Sequence, residues 1–135
     1  MAAYANTFAV PFVYDDVAAI AENTTIHHFD TAFVPPPGTT VSGRPLVNLS
    51  FALNYAISGY AVWSYHVVNL VIHALAALAL FGLVRRTLRA PSLAARWGEA
   101  AGPLALAAAA WWALHPTATE SVTYTVQRAE SLMGL

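Results

Sequence analysis

The chain has 135 residues, of which 58% are hydrophobic and only 10% charged, against roughly 25% charged in ordinary soluble domains. It has no Cys, which excludes disulfides and thiolate metal sites. Its net charge is −1 and its six basic residues are all Arg, so no basic stripe is present for a nucleic-acid partner.

Residues 1–44 are expected to be mostly loop. The opening "MAAYANTFAVPFV" has neither the basic start nor the long apolar centre of a signal peptide. It resembles the tail of a preceding element, so a fragment of a longer multi-pass protein is expected. In "FVYDDVAAI", residues 12–20, Asp15 and Asp16 stand side by side after an apolar stretch. On a loop such a pair is ordinarily solvated. At the mouth of a membrane bundle carboxylates are costly to desolvate and tend to be functional. Desolvation and the like charge each raise a carboxylate pKa, which is how a general base is tuned. A short helical turn is expected over 16–22, and "VPPPGTT" at 34–40 rules out helix there.

Residues 45–58 read as a helix, with Pro45 in its first turn and Gly59 at its end. Leu46, Leu49, Leu53 and Ile57 form one apolar stripe, with Asn48 and Ser58 away from it. This predicts a juxtamembrane helix lying at the bilayer surface. Residues 45–84 contain no charge, and 62–84 are long and apolar enough to span a bilayer. Trp63 and Tyr65 sit at one end of that segment and Arg85 and Arg86 at the other. His66, Asn69 and His73 make a polar stripe along it, suited to interhelical hydrogen bonds. The two histidines stand two turns apart, too far to share a metal.

The loop 85–99 holds Arg85, Arg86, Arg89 and Arg96 against Glu99, and reads as cytoplasmic. The outer segments carry Asp15, Asp16, Glu22, Asp30, Glu120 and Glu130 against Arg44 and Arg128. They therefore face the other side. Residues 100–115 form a second, shorter transmembrane candidate, either starting near Leu93 or thinning the bilayer. Residues 117–135 read as an extracytoplasmic or juxtamembrane helix opened by a capping box of Thr117 and Glu120. Glu120, Gln127 and Ser131 share one face, flanked by Tyr124 and Arg128. Val122, Val126, Ala129 and Met133 take the other. The fold expected is an all-α, polytopic membrane bundle with two transmembrane helices plus juxtamembrane helices.

On that outer face Asp15, Asp16 and Glu120 are the catalytic candidates. Arg44, His115, Arg128 and His66 are candidates for binding substrate. An Arg fork matches phosphate oxygens, though either Arg also suits a structural anchor. Together they suit an anionic, lipid-linked substrate at the outer leaflet. The alternative is a non-catalytic polytopic membrane protein, a transporter or assembly subunit. There His66 and His73 matter and the Asp pair is dispensable. A hydrolase is a distant third.

The blocks "PFVYDDVAAIAEN", "GRPLVNLSFALNYAISG", "YHVVNLVIHALAALALF" and "LHPTATESVTYTVQRAESLMGL" resemble consecutive blocks of the transmembrane-and-tetratricopeptide-repeat O-mannosyltransferases and their bacterial relatives, of the GT-C superfamily. The resemblance covers roughly residues 8–135. It implies the N-terminal part of a GT-C-like membrane enzyme, inactive by itself, whose first extracytoplasmic loop carries an acidic motif matched by Asp15 and Asp16. The implied chemistry moves a sugar, mannose or another hexose, from a polyprenyl phosphate to a hydroxyl acceptor such as protein Ser/Thr, with inversion. One Asp takes the acceptor proton. The other orients the acceptor or, in some relatives, a divalent metal. Arg44 or Arg128 holds the departing phosphate. The implied setting is a bacterial inner membrane, with the site facing the periplasm.

Overall fold

A computed structural model describes residues 2–133, with side-chain surroundings for all of these except residues 2, 3, 5, 6 and 133. The side chain of Met133, expected on an apolar face, thus lies outside the described set. Among the described residues the chain is helical with no strand. The elements are α1 (Pro45–Ser58), α2 (Val62–Leu88), α3 (Pro91–Trp97), α4 (Ala101–Leu114), α5 (Glu120–Thr123) and α6 (Arg128–Met133). Short 3₁₀ and π turns lie before and between them.

The N-terminal 44 residues are more ordered than a plain loop. The 3₁₀ turns Ala2–Ala9, Thr24–His27 and Thr31–Phe33 and the π turn Val17–Ala21 compact them against α1 and α2. Two buried amides fasten this layer. Asn23 donates to the Ala19 carbonyl and to Asn48 Oδ1, both at 2.8 Å. Asn48 donates to Thr25 Oγ1 at 2.9 Å and to the Ala32 carbonyl at 2.8 Å. Buried polar groups need such partners, and these explain why α1 turns its Asn-bearing face inward.

The opposite face of α1 is therefore uncovered. Leu46 and Ile57 are 72% and 74% exposed, while Val47, Phe51 and Ala52 are buried. A helix that buries its amides and presents Leu46, Leu53 and Ile57 outward, while Leu49 packs on the core, suits an apolar environment outside the fold. Pro45 starts α1 and Gly59, at φ +59°, ends it; the Gly59 amide reaches back to the Tyr55 carbonyl at 2.7 Å.

The 27 residues of α2 reach about 40 Å at roughly 1.5 Å per residue, longer than the roughly 30 Å hydrocarbon core. By length and composition α2 is the one described helix able to cross a membrane, and most of its surface is uncovered within the fold. Antiparallel to it, α4 packs small residues against it: Ala101, Ala105 and Ala109, four apart, are all buried. Small residues at this spacing let two helices approach closely.

The helix expected over 100–115 is present with nearly those bounds, and of the two alternatives the earlier start is the one that fails. Helix α4 has 14 residues, about 21 Å at the same rise, and does not extend back to Leu93. The chain breaks between α3 and α4. A Cβ at Gly98 would stand 2.6 Å from the Ala94 carbonyl oxygen, so only glycine fits there, and Glu99 follows it. The helix expected over 117–135 is also interrupted. It is divided into turns at Pro116–Ala118 and Thr125–Gln127 and the short helices α5 and α6.

Candidate active site

The neighbouring carboxylates have different environments. Asp15 is exposed and Asp16 is buried. Asp16 Oδ1 accepts from the Val126 amide at 2.7 Å, and Oδ2 from the Val13 amide at 3.3 Å. Burial raises the Asp16 pKa above the usual carboxylate value, against the lowering pull of the Val13, Val126 and Thr125 amides and of His66. Asp15 holds its place through its backbone: its amide donates to the Tyr124 hydroxyl at 3.3 Å. Burial raises the pKa of that hydroxyl.

These contacts explain the break in the C-terminal segment. Tyr124 is extended, at φ −107° and ψ 112°. The groups that a continuous helix would pair internally are held from outside. Asp16 takes the Val126 N–H, Asn69 Nδ2 donates to the Thr125 carbonyl at 3.1 Å, and His66 Nδ1 lies 3.1 Å from the Val122 carbonyl. The expected capping box is absent for a related reason. The His115 ring accepts from the Thr117 amide at 3.3 Å and lies 2.8 Å from its hydroxyl, capping a 3₁₀ turn. The α-helix starts later, at Glu120, with no side-chain cap from Thr119.

Arg128 was expected on the face beside Glu120. The extended residue at Tyr124 shifts the register and turns it inward, where it is fully buried. Its Nε donates to Asn69 Oδ1 at 2.7 Å, Nη2 to the Tyr65 carbonyl at 3.0 Å, and Nη1 to the Ser50 carbonyl and hydroxyl at 3.3 and 3.4 Å. Its guanidinium carbon stands 4.6 Å from the Phe51 ring centroid. Burial lowers its pKa, and the Tyr65 hydroxyl pulls the other way. No carboxylate is among these partners. Arg128 joins α1, α2 and α6, and its donors point at protein.

The other candidates lie elsewhere. Arg44 Nη1 pairs with Glu130 Oε1 at 2.9 Å across the seam of α1 and α6. His66 is buried, with Nε2 also 3.1 Å from the Val10 carbonyl. His73 is buried against the Ala113 carbonyl and stacks on Trp112 at 4.8 Å. His115 stands at the end of α4, beside Trp111. Glu120 is exposed and does share a cleft with the acidic loop. That cleft, of about 450 Å³, is lined by Val10, Val13, Tyr14, Glu120, Thr123, Tyr124 and Gln127. The sequence pattern had put Glu120, Tyr124 and Gln127 near one face on the premise of a continuous helix; the broken segment still brings them together. What the pattern missed was the Val126 amide as partner of Asp16, since a backbone group carries no sequence signal.

A divalent metal does not fit the residues present. Both Asp16 oxygens are engaged by amides. Among the described residues no three His, Asp or Glu side chains are grouped to hold an ion.

No family model matches the chain, and no solved structure matches it. Among curated proteins it is 40% identical over 139 residues to Protein O-mannosyl-transferase Tmtc2 of Drosophila melanogaster, an alignment covering 94% of the chain and 14% of that protein. It is 36% identical to human Protein O-mannosyl-transferase TMTC2, covering 96% of the chain and 16% of the relative. Against mouse Protein O-mannosyl-transferase TMTC3 it is 34% identical, covering 99% and 14%. The chain thus spans only about a seventh of the length of these relatives. At these identities over nearly its whole length, the chain belongs to the TMTC family of protein O-mannosyl-transferases, as the counterpart of one segment of them.

Proposed function

We propose that the protein carrying this chain is a membrane mannosyltransferase of GT-C type, and that the chain supplies its acidic loop and catalytic base. In this reading a hexose passes from a polyprenyl-phosphate donor to an acceptor hydroxyl, such as that of protein Ser or Thr, with inversion. The reaction takes place on the extracytoplasmic face, which in a bacterium is the periplasmic side of the inner membrane. The observation that carries the proposal is the unlike setting of the acidic pair. Asp15 is exposed at the edge of the cleft that Glu120 and Tyr124 line. Its carboxylate is free of the amide contacts that occupy Asp16.

Asp15 takes the acceptor's proton as the hydroxyl attacks the anomeric carbon, and the phosphate departs from the opposite side of the sugar. Asp16 sets the loop's position through Val13 and Val126 and touches no substrate. The departing phosphate needs a cation. Arg128 has its donors committed to protein, which leaves Arg44, part-exposed in its pair with Glu130, as the better placed of the two. The names of the relatives support sugar transfer to a hydroxyl. The uncovered α2 and the outward leucines of α1 support a membrane setting. The 14-residue α4 crosses as a second, thinned span, and α1 lies at the interface.

The test is transfer from a polyprenyl-phosphate mannose to a hydroxyl acceptor by the full-length protein that carries this segment. Asp15→Asn keeps size and polarity but cannot accept a proton at neutral pH. General-base catalysis is worth about 10²–10⁴-fold in rate, and a loss of that size with membrane insertion intact is expected. Transfer at the unmodified rate would remove Asp15 as the base.

A further inference from the structure

Tyr14 is the described non-glycine residue with a positive φ, +48°, and its side chain is 88% exposed. Tyrosine adopts this left-handed backbone rarely and at a cost in stability. Here the conformation holds an aromatic ring in the open, one residue before the acidic pair. The turn is pinned on both sides: the Asp16 amide donates to the Val13 carbonyl at 3.0 Å, and the Val17 amide to the Tyr14 carbonyl at 3.1 Å.

Tyr14 lines the cleft together with the apolar Val10 and Val13 and the polar Glu120, Thr123, Tyr124 and Gln127. At about 450 Å³ it falls within the usual span of small-molecule sites, about 300–1,000 Å³. No Arg or His is among its lining residues, and its charged member is an acid. A phosphate would be repelled by Glu120 and by the neighbouring Asp15. A neutral ligand rich in hydroxyls would not. Carboxylate oxygens accept hydrogen bonds from hydroxyls, and an amide such as Gln127 both donates and accepts. An aromatic face suits the C–H face of a pyranose ring.

We propose that this cleft is a hexose subsite, with the Tyr14 ring as its stacking face and Glu120 and Gln127 as its hydroxyl-binding groups. The assignment rests on the transferase reading of the site and adds to it a specificity-determining residue, Tyr14. It also divides the donor's recognition. The sugar lies against Tyr14, and the phosphate lies outside this acidic cleft.

Saturation-transfer NMR with methyl α-mannopyranoside, on the full-length protein that carries this segment in lipid nanodiscs, tests the subsite without any turnover. Saturation of the ring protons is expected for the native chain and for Tyr14→Phe, which keeps the aromatic face. Tyr14→Ala and Tyr14→Gly should bind about two- to tenfold more weakly, the worth of one aromatic contact. The glycine variant relieves the backbone strain, so its weaker binding cannot be ascribed to misfolding of the turn. Weaker binding by Tyr14→Ala and Tyr14→Gly, with Tyr14→Phe unchanged, supports the subsite even if Asp15→Asn transfers sugar normally, a result that would fail the catalytic reading alone. Native-like binding by Tyr14→Ala, no saturation in the native chain, or displacement of the sugar by inorganic phosphate would each overturn the proposal.

Discussion

Asp16 Oδ1 and the Val126 amide, 110 residues apart in sequence, meet at 2.7 Å in the interior. This bond fastens the acidic loop to the segment after α4. It also separates the roles of two adjacent carboxylates, because Asp16 is used up by the fold and Asp15 is not.

Removing Asp16 should therefore act on stability. Asp16→Ala leaves the buried Val126 N–H without an acceptor, a loss of about 1–3 kcal/mol. Asp15→Ala, at an exposed position, should stay within about 0.5 kcal/mol. Equilibrium unfolding in detergent distinguishes the two variants. Equal stabilities would mean that the Asp16–Val126 bond does not hold the loop.

The raised Asp16 pKa makes stability depend on pH in a defined direction. The folded chain holds this proton more tightly than the unfolded chain does. The resulting stability is fully present below the ordinary carboxylate pKa, about 4. It is lost as pH rises through the raised folded value. Between these limits the native chain should lose stability with rising pH more steeply than Asp16→Asn, which cannot titrate. Parallel pH profiles for the two chains would contradict this.

Arg128 and Asn69 should behave as a coupled pair. Lys in place of Arg128 cannot reach Asn69, Ser50 and Tyr65 from one ammonium group. Arg128→Lys is expected to cost about 2–3 kcal/mol, the range for losing hydrogen bonds from a buried charged group. Asn69→Ala in the Arg128→Lys background should cost less than it does alone, since the Nε–Oδ1 bond of 2.7 Å is already gone. A double-mutant cycle measures this, and strict additivity would deny the coupling.

Orientation should follow the arginines in the last turn of α2 and beyond it. Arg85, Arg86, Arg89 and Arg96 are all exposed, and basic residues in short loops stay cytoplasmic. A cysteine in place of the exposed Asp30 should react with an impermeant reagent from the outer side. Neutralising all four arginines should weaken or reverse that labelling. Labelling of the native-charge chain solely from the cytoplasm would overturn the proposed orientation and the outer-face site with it.

Composition and spacing by themselves determined the helical class, the long apolar helix beginning at 62, α1 with its proline start and glycine end, and the Asp pair as the N-terminal segment's distinctive group. These are local properties, since hydropathy, charge and Pro/Gly chemistry act within a few residues of chain. The stretch 85–99, expected as a loop, instead continues α2 to Leu88 and forms α3. The helical pattern after His115 still brings Glu120, Tyr124 and Gln127 to one cleft, but it misplaced Ser131, which lines a different pocket, and Arg128, which is buried. No local rule places an extended residue at Tyr124. That residue is extended because Asp16, Asn69 and His66, each more than 50 residues away, take backbone groups that a helix would have paired internally. The tertiary structure likewise decided that α1 turns its asparagines inward and Leu46 and Leu53 outward, because Asn23 and Ala32 offer partners that only the folded loop brings within reach. The two aspartates are the clearest case. They are identical in type and adjacent in sequence, and local physics gives them the same prospects. The Val126 amide, 110 residues away, and the nearby Val13 amide hold Asp16 in the interior, while Asp15 stays exposed.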